Sequence, residues 1–182
     1  MIIDESNSFI MLIMNRLKHY NHKKYWKMRK EVVNPNSTVP KLIRFYYLYR
    51  IKKMDAYNLS SMGTGFGWGA EFKTPPELPH LLNGIIISYH AKIGSACIIN
   101  QQVTIAEKNG KSAIIGDNVL IGAGVKILGG VNIGNNVKIG ANAVVVKDIP
   151  DNCTVVGIPA RIISKKCVDV PDDLKSIDGV EN

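Results

Sequence analysis

From Ile115 onward an aliphatic residue returns at every sixth position: Ile115, Ile121, Ile127, Ile133, Ile139 and Val145. A second series runs four residues behind, through Val119, Val125, Val131, Val137, Ala143 and Ile149, and Gly follows the first series at 116, 122, 134 and 140. Upstream the same frame reads Ile87, Ile93, Ile99 and Ile105, with Ala91, Cys97 and Val103 in the second slot. The step from Ile105 to Ile115 is one repeat plus a four-residue insertion. A helix cannot use this pattern, because six residues rotate it by about 600° and scatter the apolar positions. Strand alternation survives the step, but the interspersed Gly, Asn and Asp break each strand after a few residues. The pattern predicts a parallel coil with three flat faces, one hexapeptide per face and about 18 residues per turn. Its turns stack about 4.8 Å apart around an interior Ile column. Gly and Asn fall at the corners, where a positive φ is cheap.

Before the repeat, the apolar spacing predicts a basic amphipathic helix over residues 6–32, with Phe9, Ile13, Leu17 and Tyr20 on one side. Asn34-Pro35-Asn36-Ser37 is a break; Ser37 or Thr38 then caps a second helix, with Pro40 in its first turn, that runs toward about Asn58. That helix carries Phe45, Tyr46, Tyr47 and Tyr49, and residues 60–69 read as a loop. The helices are expected to pack on the coil and on each other. The alternative is a basic, aromatic surface that meets a membrane or an anionic polymer. The division expected is a basic helical segment at 1–60, the coil at 61–166 and a loose acidic tail at 167–182.

The 182 residues suffice for one core with an appendage. The formal charge of +8 is local: residues 1–57 hold twelve Lys or Arg against four Asp or Glu, and the remainder holds eleven of each sign. No nucleic-acid partner is expected. Cys97, Cys153 and Cys167 lack metal-ligand spacing and cannot all pair, which reads as a reduced, cytoplasmic setting. The start carries Asp4 and Glu5 where a signal peptide carries bases, and no run of about 20 apolar residues occurs. The expected location is the cytoplasm, with the basic N-terminal helix able to touch the inner face of a membrane.

The repeats resemble those of the hexapeptide-repeat acyltransferases, over about residues 76–166. The most specific stretch is KIGANAVVVKDIPDNCTVVGIPARII, from Lys138, which is similar to that family's end-of-helix signature through Lys147-Asp148-Ile149-Pro150 and Gly157-Ile158-Pro159-Ala160-Arg161. The resemblance implies a mainly β fold, a left-handed parallel β-helix, against the usual crossover hand. It also implies an acetyl-CoA-dependent enzyme and a homotrimer.

No nucleophile elbow or Cys–His arrangement is present. The resembled family needs none, because a His general base lets the acceptor hydroxyl attack the thioester directly. An imidazole, with an ordinary pKa of about 6.5, suits the task. Leu78-Pro79-His80 before Asn83-Gly84-Ile85-Ile86-Ile87, and Gln101-Gln102-Val103-Thr104 later, resemble two pieces of the serine acetyltransferase branch, and His80 is the implied base. One extra residue separates His80 from Gly84. His90 is expected to point outward, and His19 and His22 to be solvated. A zinc site like that of γ-class carbonic anhydrases is the competing reading. It needs three converging His, and the coil holds only His80 and His90, so no metal is expected. For acetyl-CoA, the resemblance maps pantetheine-binding backbone onto Ala123 and Ala141, and a CoA-contacting Lys onto Lys147, with Arg161 and Lys165 for the nucleotide phosphates.

Serine acetyltransferases carry an Asp before the catalytic His and a second His in the loop after Gln-x-Val-Thr. Pro79 and Ser112 stand at those places. Losing groups that pair with an amino acid's charges argues for another acceptor. The polar residues that remain, Asn100 and Gln101 with Asn109, suit an uncharged sugar. The expectation is O-acetylation of a sugar or surface-glycan precursor. The alternatives are serine O-acetylation for cysteine biosynthesis and a non-catalytic β-helix scaffold.

Overall fold

The computed structural model describes residues 19–165. Two helices, α1 (His22–Val33) and α2 (Lys41–Tyr57), precede a three-faced parallel coil. Face 1 stacks β1 (Ser61–Met62), β3 (Ile86–Ile87), β6 (Thr104–Ala106), β9 (Lys126–Leu128) and β12 (Val144–Val145). Face 2 stacks β2 (Glu71–Phe72), β4 (Lys92–Ile93), β7 (Ile114–Ile115) and β10 (Asn132–Ile133). Face 3 stacks β5 (Ile98–Ile99), β8 (Leu120–Ile121), β11 (Lys138–Ile139), β13 (Cys153–Val156) and β14 (Arg161–Lys165). All neighbours pair in parallel except β13 and β14. The architecture is the expected parallel β-helix with two N-terminal helices.

The register explains the sequence period. Ile87 pairs with Ile105 and Ile127 with Val145, one regular turn apart, whereas Ile105 pairs with Ile127 across a longer turn. The added residues form a small hairpin on which Lys108 and Lys111 exchange backbone hydrogen bonds. From Ile87 to Val145 the first aliphatic series is at most 3% exposed throughout. The corners take left-handed residues, and three of them form a ladder: Asn118 Nδ2 donates to Asn136 Oδ1 at 2.9 Å, and Asn136 Nδ2 to Asn152 Oδ1 at 3.0 Å.

The helices close the first coil. Tyr25, Trp26, Met28 and Val32 of α1 are buried, while Lys23, Lys24, Lys27 and Lys30 stay exposed. Arg29 reaches into the coil, where its guanidinium donates to the carbonyls of Met62, Gly63 and Ala70 and to Thr64 Oγ1. Tyr25 donates to Asp55 Oδ1 at 2.8 Å, joining α1 to α2. On α2, Leu42, Phe45, Tyr46 and Tyr49 remain exposed, with Phe45 stacked on Phe66.

Three boundary expectations are corrected. The first helix does not run through residues 19–21: His19 is left-handed, and Asn21 is extended and caps α1 by accepting from the Lys24 N–H. Its Phe9, Ile13 and Leu17 lie outside the described residues. Neither Ser37 nor Thr38 caps α2. Ser37 Oγ instead donates to Glu31 at 2.6 Å, and the helix starts after Pro40 without a side-chain cap. Residues 60–69 are not all loop, since β1 is the first rung of face 1. The acidic tail at 167–182 lies outside the described residues. No helix among the described residues is long and apolar enough to cross a membrane.

Candidate active site

Each coil turns two corners that matter here. The edge between faces 3 and 1 is built from residues 78–85, 100–103, 122–125, 140–143 and 157–160, and neighbouring corners are tied by backbone hydrogen bonds. Gln102 N–H donates to the Asn83 carbonyl, Gly124 N–H to that of Gln101, and Asn142 N–H to that of Ala123. This edge therefore aligns His80, Asn100, Gln101, Ala123 and Ala141 in successive coils.

His80 is exposed on a turn and has no side-chain partner among the described residues. The extra residue before Gly84 is absorbed by that turn: Leu81 and Gly84 both take positive φ, and Leu82 is fully buried as an anchor. Asn100 Nδ2 donates to the Ile121 carbonyl at 2.9 Å, so its amide is engaged in holding the corner. Gln101 differs, because its Oε1 is buried and has no hydrogen-bond partner among the described residues. A buried acceptor left open in this way is a group that a bound donor would satisfy. Ala123 is half-buried and Ala141 exposed, so the edge beyond Gln101 carries little side-chain bulk. Arg161 begins β14 directly after the last corner and is exposed. Lys165 ends β14, its backbone opposite Cys153.

Lys147 lies elsewhere. It sits on the edge between faces 1 and 2, where it lines an open cavity of about 480 Å³ with Lys108, Lys111 and the Gly129-Gly130 corner. The residues proposed for the donor thus fall on two edges of the prism, with face 1 between them. The same edge bears a pair that sequence reasoning missed. His90 points outward, as expected, but its Nδ1 lies 2.6 Å from Glu107 Oε2. The signal was present in the coil period, since outward corner positions about one turn apart are vertical neighbours. Among the described residues no group of three or more His, Cys, Asp or Glu is placed to hold a metal ion.

Comparison with known proteins agrees with the coil. A profile of the family described as bacterial transferase hexapeptide (six repeats) matches residues 112–147. A serine acetyltransferase of Synechococcus elongatus is 45% identical over 91 residues, covering 48% of this chain and 37% of the relative. A serine acetyltransferase of Staphylococcus xylosus is 39% identical over 127 residues, covering 65% of this chain and 59% of the relative. The chain thus spans less than two thirds of either. Among solved structures, a serine acetyltransferase in complex with CoA superposes with a TM-score of 0.61 at 26% identity, over 78% of this chain and 55% of that one. Residues 112–147 thus carry the bacterial transferase hexapeptide repeat, and over the coil the chain is similar to serine acetyltransferases.

Proposed function

We propose that this protein is an acetyl-CoA-dependent O-acetyltransferase whose acceptor is serine. The observation that carries this reading is the line of His80, Gln101, Ala123 and Ala141 along one edge, in a coil similar to that of serine acetyltransferases. The sugar or glycan acceptor expected from Pro79 and Ser112 is the weaker reading, since both curated relatives are named for serine. In the reaction His80 takes the proton of the acceptor hydroxyl as its oxygen attacks the thioester carbonyl. The new C–O bond forms, the C–S bond breaks, and the imidazolium returns the proton to the departing CoA thiolate. The small residues Ala123 and Ala141 let the pantetheine arm lie against the backbone, and Gln101 Oε1 accepts a hydrogen bond from donor or acceptor. A homotrimer belongs to the same reading: Ala141 and Lys147 lie on different edges of the prism, and a ring of copies sets one copy's edge against the next copy's other edge.

The test is thiol release from acetyl-CoA, with serine in one series and a panel of sugars and nucleotide sugars in another. Turnover on serine, lost by about 10²-fold or more in His80→Ala, supports the reading. Turnover on a sugar alone reinstates the other acceptor, and full activity of His80→Ala refutes the assigned base.

A further inference from the structure

The edge between faces 1 and 2 carries a cluster that the reaction above leaves unused. Glu107 holds His90 at Nδ1, 2.6 Å away. The Trp68 ring stacks on that imidazole at 6.0 Å and meets the Tyr89 ring at a tilt, 4.9 Å away. The His90 N–H donates to Ser88 Oγ at 3.3 Å, and Ser88 Oγ is 3.0 Å from Ser112 Oγ. Among the described residues His90 Nε2 and Glu107 Oε1 have no partner, and both side chains reach solvent, at 61% and 34% exposure. A carboxylate on Nδ1 fixes the proton there and leaves Nε2 for a ligand. An exposed ion pair alone adds at most about 1 kcal/mol, which gives the fold little reason to lay an indole over the paired imidazole.

Position decides what the pair can serve. The turn bearing His80 and the corner bearing His90 flank face 1, separated by the five residues Ile85–Tyr89, or about 17 Å at about 3.3 Å each. No small acceptor touches both within one chain. A ring in which one copy's His80 edge meets the next copy's His90 edge is a heterologous, closing contact, and it brings them together.

We propose that His90 and Glu107 are the charge-recognising half of a composite acceptor site, supplied by the neighbouring copy to the His80 edge. The ligand is a small zwitterionic hydroxy amino acid: the His90 imidazolium, with Nδ1–H held by Glu107, donates from Nε2–H to its carboxylate, and Glu107 Oε1 accepts from its ammonium. The assignment rests on the serine reading above and removes the objection to it. Ser112 stands where a second His would be expected, and Ser88 Oγ meets both Ser112 Oγ and the His90 backbone N–H, so His90 belongs to the same corner one coil earlier.

The experiment uses full-length chains and serine titrations with acetyl-CoA. His90→Ala and Glu107→Gln should each raise KM for serine about tenfold or more while leaving KM for acetyl-CoA and the thermal midpoint unchanged. His80→Ala and His90→Ala subunits are then co-expressed and assayed at serine far below KM. Random trimers should recover about one quarter of the wild-type rate, because each mixed trimer keeps one intact site of three. An unchanged KM for serine in both single variants, or no recovery on mixing, overturns the proposal. Failure of the wild type itself to acetylate serine while it still binds acetyl-CoA overturns the acceptor reading, and this assignment with it.

Discussion

Replacing Asp55 with Asn should flatten part of the protein's response to pH. Asp55 is 3% exposed, Tyr25 donates to its Oδ1, and its Oδ2 has no partner among the described residues. Lost hydration outweighs the help from Tyr25, Lys52 and Arg29 and raises its pKa to about 6 from an ordinary 3.8. With a raised value, the folded chain keeps a proton where the unfolded chain has lost it. Stability from this group is therefore full below about pH 4 and declines as pH rises through about 6. The gap corresponds to about 3 kcal/mol, at about 1.4 kcal/mol per pH unit. Asn keeps the acceptor for Tyr25 and removes the titration. Urea unfolding of both proteins at a series of pH values gives the difference directly. The wild type should lose about 3 kcal/mol relative to Asp55→Asn between about pH 4 and about pH 7. A difference constant to within about 0.5 kcal/mol over that range would refute the reasoning, because it would mean that Arg29 and Lys52 fully offset the desolvation.

Arg29→Met leaves the carbonyls of Met62, Gly63 and Ala70 without their donor and removes a buried guanidinium that favours the Asp55 carboxylate, so chemical denaturation should register a loss of about 3–5 kcal/mol. Ile121→Ala empties a fully buried place in the interior column between Ile99 and Ile139, and should cost about 2–5 kcal/mol in the same assay. Ala141→Phe adds bulk at an exposed corner: the melting temperature should hold, while KM for acetyl-CoA rises about tenfold or more in steady-state kinetics.

The coil was legible because its constraint is periodic and local. Each Ile of the first series faces the interior in the same way, so the period alone fixes which residues are buried and which turn. The helix ends were harder, because they depend on competition between side chains. Asn21 caps α1 and divides what reads as one long amphipathic stretch, whereas Ser37 is drawn to Glu31 and leaves α2 uncapped. The site divides along the same line. His80, Gln101, Ala123 and Ala141 carry the family resemblance, and they share an edge because the corners repeat. The pairing of His90 with Glu107 depends on where the insertion at 108–111 begins, and the Trp68 ring over the imidazole comes from a segment that reads as loop.

A stack of near-identical parallel rungs is its own best template, since each end offers unpaired N–H and C=O groups to the next molecule's rung. Here both ends are spoiled for that purpose. At the start, the Arg29 guanidinium occupies carbonyls of the first rung. At the finish, β14 runs back antiparallel to β13, with a register shift between Thr154 and Val155, so a parallel newcomer meets a strand of the wrong polarity. Length is thus set by the two terminations, and repetition yields a discrete particle instead of a filament.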